Sequence, residues 1–288
     1  MQPSDLFRLI LLSSIWGASF PFMRVASPAF GAVPLVLLRM GVATLCLLPV
    51  LTSAVNRQAF VQNKGKLLLT GTLNSVIPFC LLAFATLTIE AGFASLINAT
   101  TPLMTAGVGA VWLKAPLRRV QWLGLAFGIA GVAILSWGKF SFREGGNGWA
   151  ILAALCATFS YGVSAHLVRQ HLADVPPAVV SLGSMVSATV LLAPLGMWLW
   201  PLAIPSGNVW ACAITLGVVC TGFAFLLFYN LIVRIGATSA TTVTFLVPIF
   251  AILWGTWFLN EKLTLQIILG MSVTLVGTAL VTGIGRRI

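Results

Sequence analysis

The side chains that could transfer protons or bind a metal ion are few in this sequence. The five acidic residues flank long apolar stretches rather than interrupting them: Asp5, Glu90, Glu144, Asp174 and Glu261. A proton relay across a membrane usually depends on an ionisable residue in the middle of an apolar segment. The positions of the acids therefore argue against a proton relay, whereas a sodium site made of carbonyl and hydroxyl oxygens stays open.

Two ionisable residues lie within apolar stretches and are exceptions to this pattern. His166 falls near the end of one stretch, where a hydrogen-bonded histidine at the membrane interface and a proton relay are both open interpretations. Arg39 is the cation furthest from the end of its stretch. Its side chain could meet the carboxylate of a bound molecule, or it could snorkel to the surface or form a structural pair.

The sequence contains none of the arrangements that an intramembrane enzyme needs. It has no HExxH motif, no paired aspartates and no Cys/His spacing of a metal site. Five cysteines lie in apolar stretches and match neither a zinc site nor a disulfide framework: Cys46, Cys80, Cys156, Cys212 and Cys220. We therefore expect no catalytic residue, no metal ion and no cofactor.

These residues belong to a chain that is almost entirely apolar. Of its 288 residues, 59% are hydrophobic and 7% are charged, whereas a soluble domain carries about 25% charged residues. Continuous apolar runs predict membrane-spanning helices of about 20 residues each. The net charge of +11 comes from basic loops and not from a nucleic-acid-binding patch. We predict an all-α polytopic membrane protein that does not bind nucleic acid.

Breaks in the hydropathy predict ten transmembrane helices. They cover residues 5–24, 32–53, 66–88, 92–113, 119–137, 147–170, 177–200, 208–231, 236–259 and 264–284. With the N-terminus inside, eleven of the 16 Lys and Arg residues, Arg286 and Arg287 among them, fall on the inner side. Basic residues collect in cytoplasmic loops, so both termini are expected in the cytoplasm.

The two halves of the chain resemble each other. Shifts of 145 or 146 residues superpose Trp16 on Tyr161, Gly17 on Gly162, Ser19 on Ser164, Pro102 on Pro248, Gly124 on Gly270 and Gly131 on Gly277. Five helices per half is an odd number, so the second half must be inverted. The basic loops 54–65 and 114–119 accordingly match loops 201–208 and 260–263, which hold a single lysine. We predict two inverted five-helix repeats, residues 1–144 and 145–288, around a central cavity.

Several stretches are similar to a known family. They are Trp16-Gly17-Ala18-Ser19-Phe20, Arg39, Pro248, Phe258-Leu259-Asn260-Glu261-Lys262-Leu263, Gly270 and Gly277. The chain resembles the drug/metabolite transporter superfamily in its EamA-type ten-helix branch, and within it the YddG-type bacterial amino-acid exporters. Ala115 stands where the family usually has an acid in the first half. The resemblance implies a protein of the bacterial inner membrane that exports amino acids.

Two prolines and one acid are expected to shape the ends of the cavity. Pro102 and Pro248 should kink the fourth helix of each repeat and act as hinges or gates. Carbonyl groups freed near Asn98 and Thr244 can then face a cavity rather than lipid. Glu261 is expected to cap a tight turn at the outer surface, close to the N-terminus of the last helix, and a gating role is the alternative.

Polar and aromatic residues on otherwise apolar helices are the candidates for a substrate site. Hydroxyl and amide groups can bind the ends of a zwitterion, and aromatic faces can hold an apolar or cationic group. The alternative for each residue is a helix–helix contact or an interface anchor. The candidates are Trp16, Ser19, Asn74, Pro78, Phe79, Asn98, Thr101, Tyr161, Ser164, Tyr229, Asn230, Thr241 and Phe245.

These observations predict a membrane transporter that exports small amphipathic metabolites, with amino acids, aromatic ones included, implied by the resemblance. Alternating access by facilitated diffusion or exchange is the expected mechanism. A drug or organic-cation exporter, a channel and a non-transporting scaffold are the alternatives. The expected partners are a small-molecule substrate and the lipid bilayer. Both repeats lie in one chain, so a monomer is expected.

Overall fold

A computed structural model describes residues 2–143 and 145–283 of the chain. Glu144, Arg286 and Arg287 lie outside the described residues, and the predicted boundary between residues 144 and 145 stays a prediction. The described part is helical, with no strand within it. Eight of its helical stretches are long and apolar enough to cross a membrane, and the shorter apolar helix Val243–Leu259 accompanies them. The all-α membrane fold is therefore confirmed.

The helices are numbered in chain order. They are α1 (Pro3–Phe30), α2 (Ala32–Leu47), α3 (Ala54–Gln62), α4 (Lys64–Gly71), α5 (Ile77–Ala85), α6 (Ala91–Asn98), α7 (Thr101–Trp112), α8 (Arg119–Ser136), α9 (Gly148–His171), α10 (Pro177–Trp198), α11 (Gly207–Gly217), α12 (Ala224–Ile235), α13 (Ala237–Ala240), α14 (Val243–Leu259) and α15 (Leu265–Thr282). A 3₁₀ segment, Leu48–Thr52, continues α2. The π-helical segments Thr72–Val76 and Val218–Phe223 join α4 to α5 and α11 to α12.

The structure differs from the predicted spans in three places. The predicted loop 54–65 contains helix α3, because its residues carry no helix breaker. The predicted fourth helix, 92–113, is two helices separated at residues 99–100, with Pro102 in the first turn of the second. The predicted ninth helix, 236–259, is interrupted at residues 241–242, and Pro248 lies inside α14. One interruption thus adjoins Pro102, whereas α14 continues through Pro248 and the other interruption lies six residues before that proline. The kinks and the hinge or gate role of the two prolines stay predictions.

Helices α8 and α15, the last of each repeat, pack against each other through glycines. A Cβ atom on Gly124 would lie 2.7 Å from the carbonyl oxygen of Gly277, and one on Gly277 would lie 2.7 Å from the carbonyl oxygen of Gly124. Further along, a Cβ on Gly270 would lie 3.3 Å from the carbonyl oxygen of Gly131. The order of these contacts shows that the two equivalent helices run antiparallel. The close glycine packing and the inverted repeat are both confirmed.

A second set of equivalent contacts repeats the same symmetry. A Cβ atom on Gly17 would lie 2.9 Å from the backbone nitrogen of Ala251, and one on Gly162 would lie 3.0 Å from that of Thr105. Residues 17 and 162 differ by 145, and residues 105 and 251 differ by 146. Each first helix of a repeat therefore packs on the fourth helix of the other. The two repeats thus exchange their first helices, and each first helix is buried mainly by the other repeat.

The apolar side chains divide between an inner core and a lipid-facing surface. The main core cluster draws on α1, α6, α9, α12 and α14. Large apolar side chains such as Val111, Trp137 and Val233 are more than four-fifths exposed, as helices in lipid require. An ion pair of 2.6 Å between Arg234 and Asp5 ties the end of α12 to the start of α1.

Candidate functional site

Two aromatic pairs occupy equivalent places in the two repeats. The rings of Trp16 on α1 and Phe225 on α12 meet edge to face with their centroids 5.8 Å apart. The rings of Tyr161 on α9 and Phe79 on α5 meet in the same way at 6.4 Å. Trp16 and Tyr161 differ by 145 residues, and Phe79 and Phe225 differ by 146. The structure thus brings three of the candidates, Trp16, Phe79 and Tyr161, into a symmetric arrangement.

Phe225 is a member of this arrangement that the sequence reasoning missed. It had a usable signal, because the shift of 146 residues that superposes the prolines also carries Phe79 onto Phe225. Two more aromatic rings extend the pair around Trp16. The Phe228 ring lies 5.2 Å from Trp16, and the Tyr229 ring lies 6.2 Å from both Phe225 and Phe228. The Tyr229 hydroxyl is buried and has no hydrogen-bond partner within the described part of the chain.

Arg39 lies beside the Phe79–Tyr161 pair and is only 3% exposed. Its guanidinium carbon stands 4.4 Å from the centroid of the Phe79 ring. Its Nε donates a hydrogen bond of 2.8 Å to the Thr221 hydroxyl, and its Nη1 approaches the Met23 sulfur at 3.5 Å. Among the described residues no carboxylate pairs with it. The side chain therefore does not snorkel to the surface, and it connects α2 with α5 and with the second π-helical segment.

The two π-helical segments are related by the repeat. Thr72–Val76 precedes Phe79, and Val218–Phe223 precedes Phe225, again 146 residues further on. The wider turn leaves the Thr221 hydroxyl to donate to the carbonyl of Leu216, five residues back, at 2.7 Å. That bond orients the hydroxyl so that its oxygen can accept from Arg39. Single π turns of this kind are frequent at functional sites.

Most of the polar candidates make contacts typical of helix packing. The hydroxyls of Ser19 and Thr101 each donate to the backbone carbonyl three residues earlier, at 2.6 and 2.7 Å. Ser164 donates to the carbonyl of Thr70 at 3.3 Å and so joins α9 to α4. Asn230, in the middle of α12, is exposed and accepts a hydrogen bond from Arg8. Of these four, Ser19 reaches the aromatic pairs, through the backbone carbonyl of Trp16 and not through its ring.

The remaining candidates differ in burial. Asn98 is half-buried, and its side-chain oxygen is buried without a hydrogen-bond partner at the break between α6 and α7. Asn74 is half-buried within the first π-helical segment, and Pro78 is buried at the start of α5. Phe245 is half-buried, whereas Thr241 is exposed. Of these five, Asn98 is the one with a side-chain atom that is buried without a partner among the described residues.

His166 forms a hydrogen bond across two helices. Its Nε2 lies 2.8 Å from the backbone oxygen of Thr105 on α7, next to the close contact between Gly162 and α7. Gly109 leaves room for the imidazole, because a Cβ there would lie 3.0 Å from the ring. This geometry matches the interpretation of a hydrogen-bonded histidine that ties α9 to α7.

Glu261 caps a helix of the other repeat. Its carboxylate accepts hydrogen bonds from the backbone N–H groups of Ala91, at 2.6 Å, and Gly92, at 3.1 Å, in the first turn of α6. The expected cap at the last helix is corrected here, because Thr264 accepts from the Ile267 N–H at the start of α15. Glu261 thus connects the two repeats where the sequence predicted a local turn.

The turn that presents Glu261 occurs twice in the fold. Asn260 has φ 54° and is followed by an N–H bond of 3.1 Å from Glu261 to the Gly255 carbonyl. Lys114 has φ 50° and is followed by the same bond, also 3.1 Å, from Ala115 to Gly109. The backbone is repeated but the acid is not. Ala115 has no side-chain acceptor and cannot cap a helix, so this turn carries a capping carboxylate in the second repeat only.

Two cavities at the protein surface lie away from these residues. One, of about 570 Å³, is lined by Gln2, Asp5, Arg234, Ile235 and Ser239 at the Arg234–Asp5 ion pair. Another, of about 400 Å³, is a mainly apolar groove between α8 and α9. We regard the symmetric aromatic pairs as the better site, because a lipid-facing groove needs no further occupant than lipid.

The antiparallel repeats, the interrupted fourth helices and the half-buried aromatic pairs define a membrane transporter with inverted-repeat architecture. The chain belongs to the EamA-like transporter family, whose model matches residues 6–137 and 148–283. Over 287 residues it is 25% identical to the "Probable terminal-alkyne amino-acid exporter" of Streptantibioticus cattleyicolor, with 97% of this chain and 94% of that protein covered.

Two other comparisons agree with this family. The chain is 24% identical over 272 residues to the uncharacterized transporter YdfC of Bacillus subtilis, with 93% of this chain and 87% of that protein covered. A crystal structure of a protein that is 19% identical has the same fold, with a TM-score of 0.67 over 100% of this chain and 99% of that chain.

Proposed function

We propose that this transporter is a carrier of small amphipathic metabolites, and of amino acids above all. The observation that carries the proposal is the pair of symmetric aromatic contacts, Trp16–Phe225 and Tyr161–Phe79, with the buried cation Arg39 beside them. A cation and aromatic faces together suit a molecule with a carboxylate and an apolar part. The similarity to an amino-acid exporter supports the same substrate class.

Alternating access is the mechanism that we propose for this carrier. Each repeat contributes its first helix to the other, so a rotation of one repeat against the other would exchange which end of the site is open. The interruptions near Pro102 and before Pro248 supply places where the fourth helices can bend. In the present conformation the aromatic rings contact each other, so a substrate has to separate them as it binds.

The proposed transport is facilitated diffusion or exchange. Among the residues that the structure describes, no acidic side chain contacts the aromatic arrangement, and the ion pair Arg234–Asp5 is at the helix ends. We further propose a monomer in the bacterial inner membrane with both termini in the cytoplasm, because basic residues favour that side. An organic-cation exporter suits the site less well, since Arg39 would repel a cation. A channel would show no saturation and no exchange.

Uptake of radiolabelled amino acids into liposomes that hold the purified protein tests this proposal. We expect saturable uptake without an imposed ion gradient, and competition by unlabelled amino acids. Empty liposomes and liposomes with the Trp16→Ala variant are the controls. Uptake that starts only under a proton or sodium gradient would contradict the uncoupled mechanism, and uptake of organic cations alone would contradict the substrate class.

A further inference from the structure

The guanidinium of Arg39 has hydrogen-bond donors that the protein leaves unused. A guanidinium carries five N–H groups. Among the described residues, Nε meets the Thr221 hydroxyl at 2.8 Å, Nη1 meets only the weak acceptor sulfur of Met23 at 3.5 Å, and no carboxylate or carbonyl accepts from the group. Burying a cation whose donors are unpaired costs several kcal/mol. An anion that binds there would remove that cost.

The depth of Arg39 fits a ligand that crosses the membrane rather than a lipid headgroup. Arg39 lies about 10 Å along the helix axis from Ala32, the first residue of α2. The side chain does not extend back to the surface, because Thr221 and the Phe79 ring hold it inside the bundle. Headgroup phosphates lie at the membrane surface, so a small soluble anion is the better match.

We propose that Arg39 binds the carboxylate of the transported molecule. This inference rests on the proposed carrier function and specifies which end of the substrate each part of the site holds. The Nη groups, which face no strong acceptor, can donate two parallel hydrogen bonds to a carboxylate. The Phe79 ring beneath the guanidinium keeps its plane oriented for that contact.

The two repeats differ at this site, and the difference makes the site asymmetric. The position that matches Arg39 under the shift of 145 residues is Ser184, so the cation occurs in one repeat only. The second aromatic group consists of Trp16, Phe225, Phe228 and Tyr229. Among the described residues, no basic side chain stacks on a ring of this group. We assign the apolar part of the substrate to this group and a single carboxylate to Arg39.

Thr221 is a positioning residue in this proposal. Its hydroxyl accepts from Nε, and this leaves the two Nη groups as the paired donors. Its own proton is committed to the Leu216 carbonyl through the π turn, so the hydroxyl cannot rotate to serve as a donor to the substrate. The π-helical segment therefore sets the orientation of Arg39.

The test measures ligand-induced stabilisation of the purified protein by three probes of matched shape. The probes are L-phenylalanine, L-phenylalaninamide and 3-phenylpropanoate. We expect the two carboxylates to raise the Tm and to bind at least about tenfold more tightly than the amide, since a charge-assisted hydrogen-bond pair is lost with the carboxylate. In Arg39→Gln the preference for carboxylates should disappear, and Arg39→Lys should retain part of it. Arg24→Gln is the control, because Arg24 is a half-buried arginine that donates to the carbonyl of Thr86 away from the aromatic pairs.

Binding measurements on the wild-type protein can refute the inference even if the variants do not fold. Equal binding of the amide and the amino acid, or binding of none of the three probes, would contradict it. Carboxylate-selective binding without any uptake into liposomes would contradict the carrier function but support Arg39 as the anion site. Uptake without carboxylate selectivity would support the carrier function and refute the role of Arg39.

Discussion

The Nε of Arg39 donates a hydrogen bond of 2.8 Å to the hydroxyl of Thr221, 182 residues further along the chain. This bond joins the second helix of one repeat to the π-helical segment in the third helical stretch of the other. Buried arginines in membrane proteins are costly and usually functional. Here the cation lies next to an aromatic pair that has an equivalent in the other repeat, which is why we propose this region as the place where a substrate meets both repeats.

The symmetric aromatic pairs predict matched losses of transport. Phe225→Ala and Phe79→Ala should each reduce uptake of an aromatic amino acid by at least about tenfold at low substrate, because each removes a ring from one pair. Initial rates in liposomes measure the effect. Phe223→Ala is the control, since Phe223 lies two residues from Phe225 and is 48% exposed. Wild-type rates for both ring variants would show that the pairs only pack helices.

The Thr221 hydroxyl is expected to stabilise the fold as well as to orient Arg39. Thr221→Val keeps the shape of the side chain but leaves the buried Nε without an acceptor. We expect a loss of about 1–3 kcal/mol, seen as a lower Tm in detergent. Thr72→Val is the matched control, because Thr72 lies in the equivalent π-helical segment and donates only to the Leu68 carbonyl. Equal Tm changes in the two variants would refute a specific role for the Arg39 contact.

The hydrogen bonds between the Glu261 carboxylate and the first turn of α6 predict that their loss makes α6 more accessible to solvent. Glu261→Ala removes the acceptor for the N–H groups of Ala91 and Gly92. A cysteine placed at Ser95, which is 1% exposed, should then react at least about tenfold faster with a maleimide, because charge-assisted bonds of about 1.5–3 kcal/mol are lost. The labelling uses a background without the native cysteines, with Lys262→Ala as control. An unchanged rate would mean that α6 is held by packing alone.

The contact between α8 and α15 predicts a steric cost. Gly277→Ala would place a Cβ 2.6 Å from the backbone nitrogen of Gly128. Neither backbone can move without shifting its helix, so we expect destabilisation of about 1–3 kcal/mol. Thermal unfolding of the purified protein measures it. Gly107→Ala is the control, because nothing lies within 4 Å of a Cβ there. A Gly277→Ala variant as stable as the control would contradict the packing described.

The repeat could be predicted from the sequence because the residues that make its contacts keep their types. Gly124 and Gly270 are both glycine, as are Gly17 and Gly162, since a side chain at any of these positions would meet a backbone atom of the neighbouring helix. The π-helical segments could not be predicted, because one extra residue in a turn leaves the hydropathy of an apolar run unchanged. Phe225 was missed because its local sequence resembles that of the other phenylalanines on this apolar helix, although the repeat points to it.

The roles of the two charged residues depend on partners distant in sequence. An arginine on an apolar helix can snorkel or be buried at the same position, and only Thr221 and Phe79 decide the outcome for Arg39. The carboxylate of Glu261 meets Ala91, 170 residues away. A sequence read locally assigns it to the nearest helix start instead. Predicting either contact requires knowing how the inverted repeats pack.

Counterflow tests whether the two repeats form an alternating-access carrier for amino acids. Liposomes that contain the protein are loaded with unlabelled phenylalanine and diluted into a trace of labelled phenylalanine without any ion gradient. We predict transient accumulation of label above its external concentration, because a carrier that exchanges substrate couples exit of one molecule to entry of another. Label that only equilibrates, with no overshoot and no dependence on internal substrate, would contradict a carrier and indicate a channel.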